Sequence, residues 1–414
     1  MKPPANGGYR LILDYQLRAN KSQQARIDEA IRTVQFIRNT CLRRWMDTRG
    51  IGDNDLQVYC SQLAHEVPFA ARLNSQARQT SADRAWFSIV RFSKNCREKK
   101  PGKKGYPHFQ KDNRSVEYKA TGWKLEPDGK RITFTDGHGI GTMRLIGKKG
   151  SIATYPTSQI KRVRLVKRAD GYYVQFAVQT ERTIAHESTG KQVGIDVGLK
   201  SFSTDSDGNT VTNPRYLRKA EAKLKRLHRR VSRKVKRSKN RKKAIKRLAK
   251  GYLRVQRRRK DFAVKTARAL IQSSDLVAYE DLKIAHLVKN HQLAKSISDA
   301  SWGLFLSWVR YYGQVSGIPV VAVSPKFTTQ ECSGCGFRVK KSLSMRTHVC
   351  PHCGLVLDRD WNAAVNILMA GLAWLAAHRT AGQAETGAAE AARNASGQTT
   401  STASLARARR KRAG

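Results

Sequence analysis

The chain is short of acid. Its 414 residues hold 31 Asp and Glu against 80 Lys and Arg, a formal net charge of +49. Self-repulsion on that scale disfavours a compact state unless a polyanion neutralises it, and duplex nucleic acid offers roughly one charge per 1.7 Å of axis. Nucleic acid is therefore the expected partner. A membrane-spanning stretch is also lacking: the longest apolar run, Ile367 to Ala377, falls far below the roughly 20 residues a bilayer requires. No basic amphipathic helix stands beside a lipid anchor, which argues against a membrane-surface protein. Met1 to Arg10 has no apolar core of the signal-peptide kind, so a cytoplasmic location is expected, with the protein on the nucleoid of a prokaryotic host when bound to DNA. Cysteine is scarce and odd in number, seven in all, yet four form two close pairs late in the chain. In a reducing compartment that arrangement speaks for metal rather than disulfides. No internal repeat is evident. What is present in quantity is apolar: 40% hydrophobic residues exclude wholesale disorder, and the length suits two or three domains.

The segment Tyr9 to Leu17 alternates like a strand, after which Ile27, Ile31, Val34, Ile37, Cys41 and Trp45 recur at helical spacing behind Ser22 as a cap. A second helix is predicted over Asn74 to Lys94, followed by a basic loop at Lys99 to Gly105. Cys41, Cys60 and Cys96 lack metal spacing and are expected as small core residues. From Val116 to Thr180 the texture is β-rich, with a hairpin over Val163 to Val178 turning at Ala169-Asp170-Gly171. These features predict a small barrel or sheet with a helical region inserted after its first strand. A boundary follows at Ser188-Thr189-Gly190. Beyond it the order is three strands, a helical region from Arg215 to Gln272, a strand at Leu276 to Glu280, a helix from Ser301 to Val315, a strand at Pro319 to Val323, a cysteine module, and a helix from Trp361 to His378. That is an α/β layer pattern. The Ala-, Gly- and Ser-rich tail over 379–414, ending in a basic cluster, is expected to be disordered.

Cys332-Ser333-Gly334-Cys335-Gly336 and Cys350-Pro351-His352-Cys353-Gly354 are two CxxC knuckles whose trailing glycines permit the turns that aim four sulfurs at one ion. Four thiolates suit tetrahedral zinc and leave no open position for a substrate, so the site is expected to be structural. His348 and His352 are alternative ligands by type but are expected at the surface, since the four-cysteine set is complete. Three carboxylates also stand out. Asp196 lies in the apolar strand Val193-Gly194-Ile195-Asp196-Val197-Gly198, where a buried acid costs several kcal/mol unless it is paired or bound to metal. Glu280 ends the strand Leu276-Val277-Ala278-Tyr279-Glu280, and Asp360 opens the last helix. If the two strands are neighbours and that helix packs beside them, three acids converge with oxygens suited to Mg²⁺. Spacing alone fits caps and strand-end acids of no catalytic role as well.

Val193 to Lys200, Tyr279-Glu280-Asp281-Leu282, Ser296 to Trp302, Gln330 to Gly336 and Asp358-Arg359-Asp360-Trp361-Asn362-Ala363-Ala364-Val365-Asn366-Ile367, in that order, resemble the TnpB family. Its members are transposon-encoded RNA-guided DNA endonucleases related to type V CRISPR effectors. The resemblance covers residues 190 to 370 and is looser over residues 9 to 180. It implies a RuvC-like RNase H-fold nuclease over 188–326 and 356–378, an inserted zinc ribbon over 327–355, a β-rich, barrel-like wedge over 1–20 and 97–187, and a helical recognition domain over 21–96. It further implies Asp196, Glu280 and Asp360 as catalytic acids holding Mg²⁺, Cys332, Cys335, Cys350 and Cys353 as zinc ligands, and a guide RNA and double-stranded target DNA as partners. Gln76 falls near the position of a glutamine that in relatives contacts the motif beside the DNA target, and a plain surface glutamine is the alternative. Arg215 to Lys260 carries about two dozen Lys and Arg beside Glu221 as its one acid, with Asp261 immediately beyond. Among them Lys223, Lys225, Arg226, Arg229, Arg230, Arg233, Lys234, Lys242 and Lys243 are expected against nucleic-acid phosphates. Two other functions fit the same scaffold: a catalytically silent RNA-guided repressor, and a DNA transposase.

Overall fold

Residues 9–147, 152–342 and 345–378 are described by a computed structural model, and the basic tail over 379–414 lies outside them. The chain forms two compact units that divide between Arg182 and Thr183. The division precedes the boundary expected at Ser188 because the intervening residues are tied to the second unit. Asp275 accepts hydrogen bonds from Ser188 Oγ at 2.6 Å and from the Gly190 amide at 2.8 Å, and the Ile184 amide donates to the Val315 carbonyl.

In the first unit, strand β1 (Tyr9–Arg18) leads directly into the helices α1 (Lys21–Asp47), α2 (Asp53–Glu66), α3 (Pro68–Ala71) and α4 (Ser75–Arg97). The chain then returns through β2 (Ser115–Tyr118), β3 (Trp123–Leu125), β4 (Arg131–Phe134), β5 (Gly141–Ile146), β6 (Ile160–Arg168) and β7 (Gly171–Thr180). These strands build one antiparallel sheet in the order β2-β6-β7-β1-β5-β4-β3, so the first strand sits in its centre and the helices are an insertion. β6 and β7 pair from Arg168 with Gly171, leaving Ala169 and Asp170 as a two-residue loop. α1 starts behind Asn20 rather than Ser22, because Asn20 and Gln23 each satisfy the other's backbone amide in a capping box. Ile27, Ile31, Val34, Ile37 and Cys41 are its buried face. Cys41 and Cys60 lie in the core with sulfurs 3.6 Å apart, but Cys96 is exposed, at the polar end of α4. On β2 the buried Glu117 accepts from Arg162 Nη1 at 2.6 Å and Arg164 Nε at 2.7 Å, which outweigh burial and hold its carboxyl below the usual range.

The second unit opens with β8 (Gln192–Asp196), β9 (Ser201–Asp205) and β10 (Thr210–Thr212). The helical region from Arg215 is two packed helices, α5 (Tyr216–Ser232) and α6 (Lys239–Gln272), broken where Arg237 turns with positive φ. Then come β11 (Leu276–Glu280), α7 (Ile284–Leu287), α8 (Ala294–Ala300), α9 (Trp302–Ser316), β12 (Val320–Val323), the cysteine-module hairpin β13 (Thr347–Val349) and β14 (Val356–Asp358), and a last helix, α10, over residues 359–378. The sheet order is β10-β9-β8-β11-β12, antiparallel at β10-β9-β8 and parallel at β8-β11-β12.

Helices cover both faces of this sheet, and glycine fixes how closely one of them approaches. A Cβ on Gly194 would stand 2.2 Å from the Ala364 carbonyl oxygen and 2.5 Å from the Leu368 amide, so only glycine lets α10 lie against β8. Along the same face Leu276, Ala278, Val321 and Val323 bury Ile367 of α10. On the opposite face α9 packs against β12 where Gly313 meets Val320. Phe202 joins Phe262 of α6 and Phe305 of α9 in edge-to-face contacts with centroids 4.8 and 5.0 Å apart. No helix among the described residues is long and apolar enough to cross a membrane.

Candidate functional site

The register of β8 and β11 places two acids side by side. Ile195 pairs with Tyr279, and one residue further along each parallel strand stand Asp196 and Glu280. Because side chains alternate, both acids share a face with Gly194 and Ala278, the face that α10 covers. Asp360 lies in the first turn of α10, its Oδ2 3.7 Å from where a Cβ on Gly198 would stand. Asp358 is the cap of this helix: its Oδ1 accepts the Asp360 amide at 2.8 Å. Asp196, Glu280 and Asp360 are each no more than 9% exposed. Burial, Glu280 and Asp360 together push the Asp196 carboxyl up to about 8, and burial raises Glu280 as well. Each of the three acids has a protein partner, that of Asp196 being the Val197 backbone. Arg359 Nη2 pairs with Asp360 at 3.1 Å, and Thr328 Oγ1 donates to Glu280.

The N-terminus of α10 is held from two sides by residues to which pattern reasoning assigned no role. Trp361 Nε1 donates to the Ser206 carbonyl at 3.0 Å in the turn between β9 and β10. Asn362 Nδ2 donates to the Glu331 carbonyl at 2.8 Å while its Oδ1 accepts the Ser333 amide, and Asn366 Nδ2 reaches the carbonyls of Thr328 and Glu331. These asparagines strap the first cysteine knuckle to the helix that carries Asp360. They stand four apart, one helical turn, and that spacing was the available signal.

The four sulfurs of Cys332, Cys335, Cys350 and Cys353 lie within 4.8 Å of one another, the one such cluster of potential metal ligands among the described residues. The pairs Cys332–Cys353 and Cys335–Cys350 are each 3.6 Å apart, close to the edge of about 3.8 Å expected for a tetrahedron with 2.3 Å zinc–sulfur bonds. The two knuckles are built alike. Cys332 and Cys350 donate their amides to the Phe337 and Leu355 carbonyls, and Gly336 and Gly354 return amides to the Cys332 and Cys350 carbonyls from positive φ. The arrangement could hold a zinc ion as a closed site. His352 is exposed and stacks on Phe337, but His348 is fully buried on β13 and contacts Lys341, because β13 turns it inward.

α5 and α6 form a basic hairpin. Lys223, Lys225, Arg226, Arg229, Arg230, Arg233, Lys234, Lys242 and Lys243 are all exposed, and Arg230, Lys234, Lys243 and Arg247 line a cleft of 490 Å³. Asp299 anchors the hairpin: it accepts the Leu217 and Arg218 amides at the start of α5 and pairs with Arg259 of α6 at 2.8 Å. In the first unit Gln76 is half-buried, and its amide oxygen accepts the Thr121 backbone amide at 2.9 Å, an intramolecular bond that positions the start of α4.

Comparison with known proteins places relatives over both parts of this site. The family model OrfB_IS605, described as a probable transposase, matches residues 175–291, and the Cas12f1-like TNB domain matches residues 302–367. A protein of Streptomyces pristinaespiralis named "Putative RNA-guided DNA endonuclease" is 40% identical over 208 residues. The match covers 50% of this chain and 51% of that one, so the chain spans about half the length of this relative. InsQ of Escherichia coli K12, which bears the same description, is 25% identical over 386 residues, 87% of this chain and 92% of its own. Among solved structures, Cas12f1 in a complex with sgRNA and target DNA covers 84% of this chain and 82% of its own at TM-score 0.51 and 15% identity. The mini-RNA-guided endonuclease Cas_phi3 covers 88% of this chain and 92% of its own at TM-score 0.55 and 10% identity. At these identities the two structures speak for the fold. One family model spans Asp196 and Glu280 and the other spans the four cysteines and Asp360, so over both parts of the site the chain is similar to proteins of the TnpB kind.

Proposed function

We propose that this protein is an RNA-guided DNA endonuclease that hydrolyses phosphodiester bonds of target DNA with two Mg²⁺ ions at Asp196, Glu280 and Asp360. The observation that carries the reading is the placement of three buried carboxylates at the ends of two neighbouring parallel strands and on the helix packed across them. Burial first, and then repulsion from Glu280 and Asp360, raises the Asp196 carboxyl. A divalent cation relieves that repulsion, and an all-oxygen donor set suits Mg²⁺. Bound there, the ions would activate a water and neutralise charge on the leaving oxygen. The chain's own contribution is positioning. Trp361, Asn362 and Asn366 set the start of α10, Arg359 and Thr328 hold two of the acids, and Gly194 lets the helix come close enough.

In this reading the second unit supplies a RuvC-like RNase H nuclease over 188–326 and 356–378, with a zinc ribbon over 327–355. The first unit supplies the wedge over 1–20 and 97–187 and the recognition helices over 21–96. The exposed cations of α5 and α6 meet the phosphates of a guide–target duplex, whose backbone shape the protein reads while base pairing reads sequence. Sequencing the RNA that co-purifies with the protein tests the guide requirement. One discrete abundant species is expected; random fragments would reduce the protein to a non-specific binder.

A further inference from the structure

On the first unit, α1 presents Arg32, Phe36, Asn39 and Arg43 along one side, at spacings of four, three and four residues. With Gln35, Thr40 and Phe109 they line a cleft of 530 Å³. Aromatic rings are ordinarily buried, yet Phe36, Phe69 and Phe109 are 37%, 41% and 37% exposed here. Phe69 packs edge-to-face on Phe36 with centroids 5.0 Å apart, and the Arg43 guanidinium lies 4.7 Å from the centroid of Phe109. The loop that carries Phe109 is strapped to α1 on both sides of that ring. Arg38 Nη1 donates to the His108 carbonyl at 3.0 Å, Asn39 exchanges two hydrogen bonds with the Gln110 backbone at 2.9 and 2.8 Å, and Gln35 accepts the Asn113 amide. The cleft is therefore preformed, and no carboxylate lines it.

We propose that this cleft binds one to three unpaired nucleotides, with a base stacked on Phe109 or Phe36 and flanking phosphates on Arg32 and Arg43. The chemistry is that of single-strand recognition: exposed rings accept any base face, and arginines between them take the backbone. Eleven residues of helix separate the two arginines by roughly 16 Å, a span of a few nucleotides. An acidic or apolar protein segment is the poorer fit, since such a segment would leave either the rings or the arginines without a matching partner. The proposal rests on the nucleic-acid reading above and adds a site for strand that is not base-paired.

The test is fluorescence anisotropy of the full chain with a twelve-nucleotide single strand, as RNA and as DNA, beside a hairpin duplex of twelve base pairs. Phe109→Ala should weaken single-strand binding roughly tenfold and leave the duplex unchanged, and Phe109→Tyr should restore it. Arg32→Gln with Arg43→Gln should lower the single-strand salt slope by about 1.4, two phosphates' worth. Both substitutions are on the surface, so they carry the test if Phe109→Ala folds poorly. A loss confined to RNA assigns the site to the guide, one confined to DNA assigns it to displaced target strand, and either supports the proposal. Wild-type affinity for single strands in the Phe109→Ala and arginine variants would overturn it, as would equal losses on duplex. A wild-type chain that binds neither probe would overturn the nucleic-acid reading itself.

Discussion

Gly194 and Asp196 stand two residues apart on one face of β8, and the first makes the second costly. Glycine admits the backbone of α10 to the sheet, and that helix brings Asp360 to a carboxylate already beside Glu280. The ordinary Asp value of 3.8 rises to about 8 at Asp196, chiefly by burial and then by these two neighbours. The folded protein therefore keeps a proton between those values that the unfolded chain releases, so in Mg²⁺-free buffer stability should fall as pH rises from about 4 towards 8. Thermal melts at pH 5.5 and 8.0 measure it: the wild type should melt lower at pH 8.0, Asp196→Asn should lose most of that difference, and Mg²⁺ should restore the wild type at the higher pH. An identical pH dependence in the variant would place the cost elsewhere.

At the scale of elements, α10 and the cysteine hairpin are one assembly. Asn362 and Asn366 grip the backbone from Thr328 to Ser333, and Thr328 touches Glu280. Loss of the metal from the four cysteines should therefore reach the acids through these contacts. Cys350→Ser is expected to lower bound zinc from one per chain to near none and to reduce cleavage at least tenfold, while RNA binding by the basic helices persists. Metal analysis finding no zinc in freshly purified, reduced wild-type protein would refute it. Much of this assembly could be read in the sequence. The CxxC spacing and trailing glycines announced the knuckles, and the apolar runs before Asp196 and Glu280 announced two strands. What pattern could not give was register and contact. Nothing in Trp361 or Thr328 distinguishes a strap from an ordinary surface residue until the turn, knuckle and strand are in place, and the spacing of Asn362 and Asn366 names no partner for them. α2 has no separate signal within the expected helical region, because Val58 and Tyr59 lie off the buried face of Leu56, Cys60 and Leu63 and blur the period, and the break between α5 and α6 is hidden by the dense cations on both sides of it.

The whole molecule carries +49, and α5 and α6 hold much of the excess on exposed side chains. If these cations meet phosphates they release counterions, so affinity for RNA and DNA should fall steeply with salt. Replacing Lys223, Arg226, Arg230, Lys234, Lys242 and Lys243 with Gln should weaken binding to all sequences and flatten the salt dependence by several units of slope on duplex. An unchanged slope would mean that water alone solvates this face. The proposed function assigns affinity and chemistry to different groups, cations for one and acids for the other, so a single substitution should separate them. The most direct measurement is Mg²⁺-dependent cleavage of guide-matched DNA by the complex carrying Asp196→Ala, with target binding followed in the same preparation and Asp358→Asn, a cap replaced by an equally good cap, as the control. Cleavage should vanish in Asp196→Ala, survive in Asp358→Asn, and leave binding near wild type in both. Wild-type cleavage by Asp196→Ala would contradict the hydrolytic assignment and leave an RNA-guided binding protein.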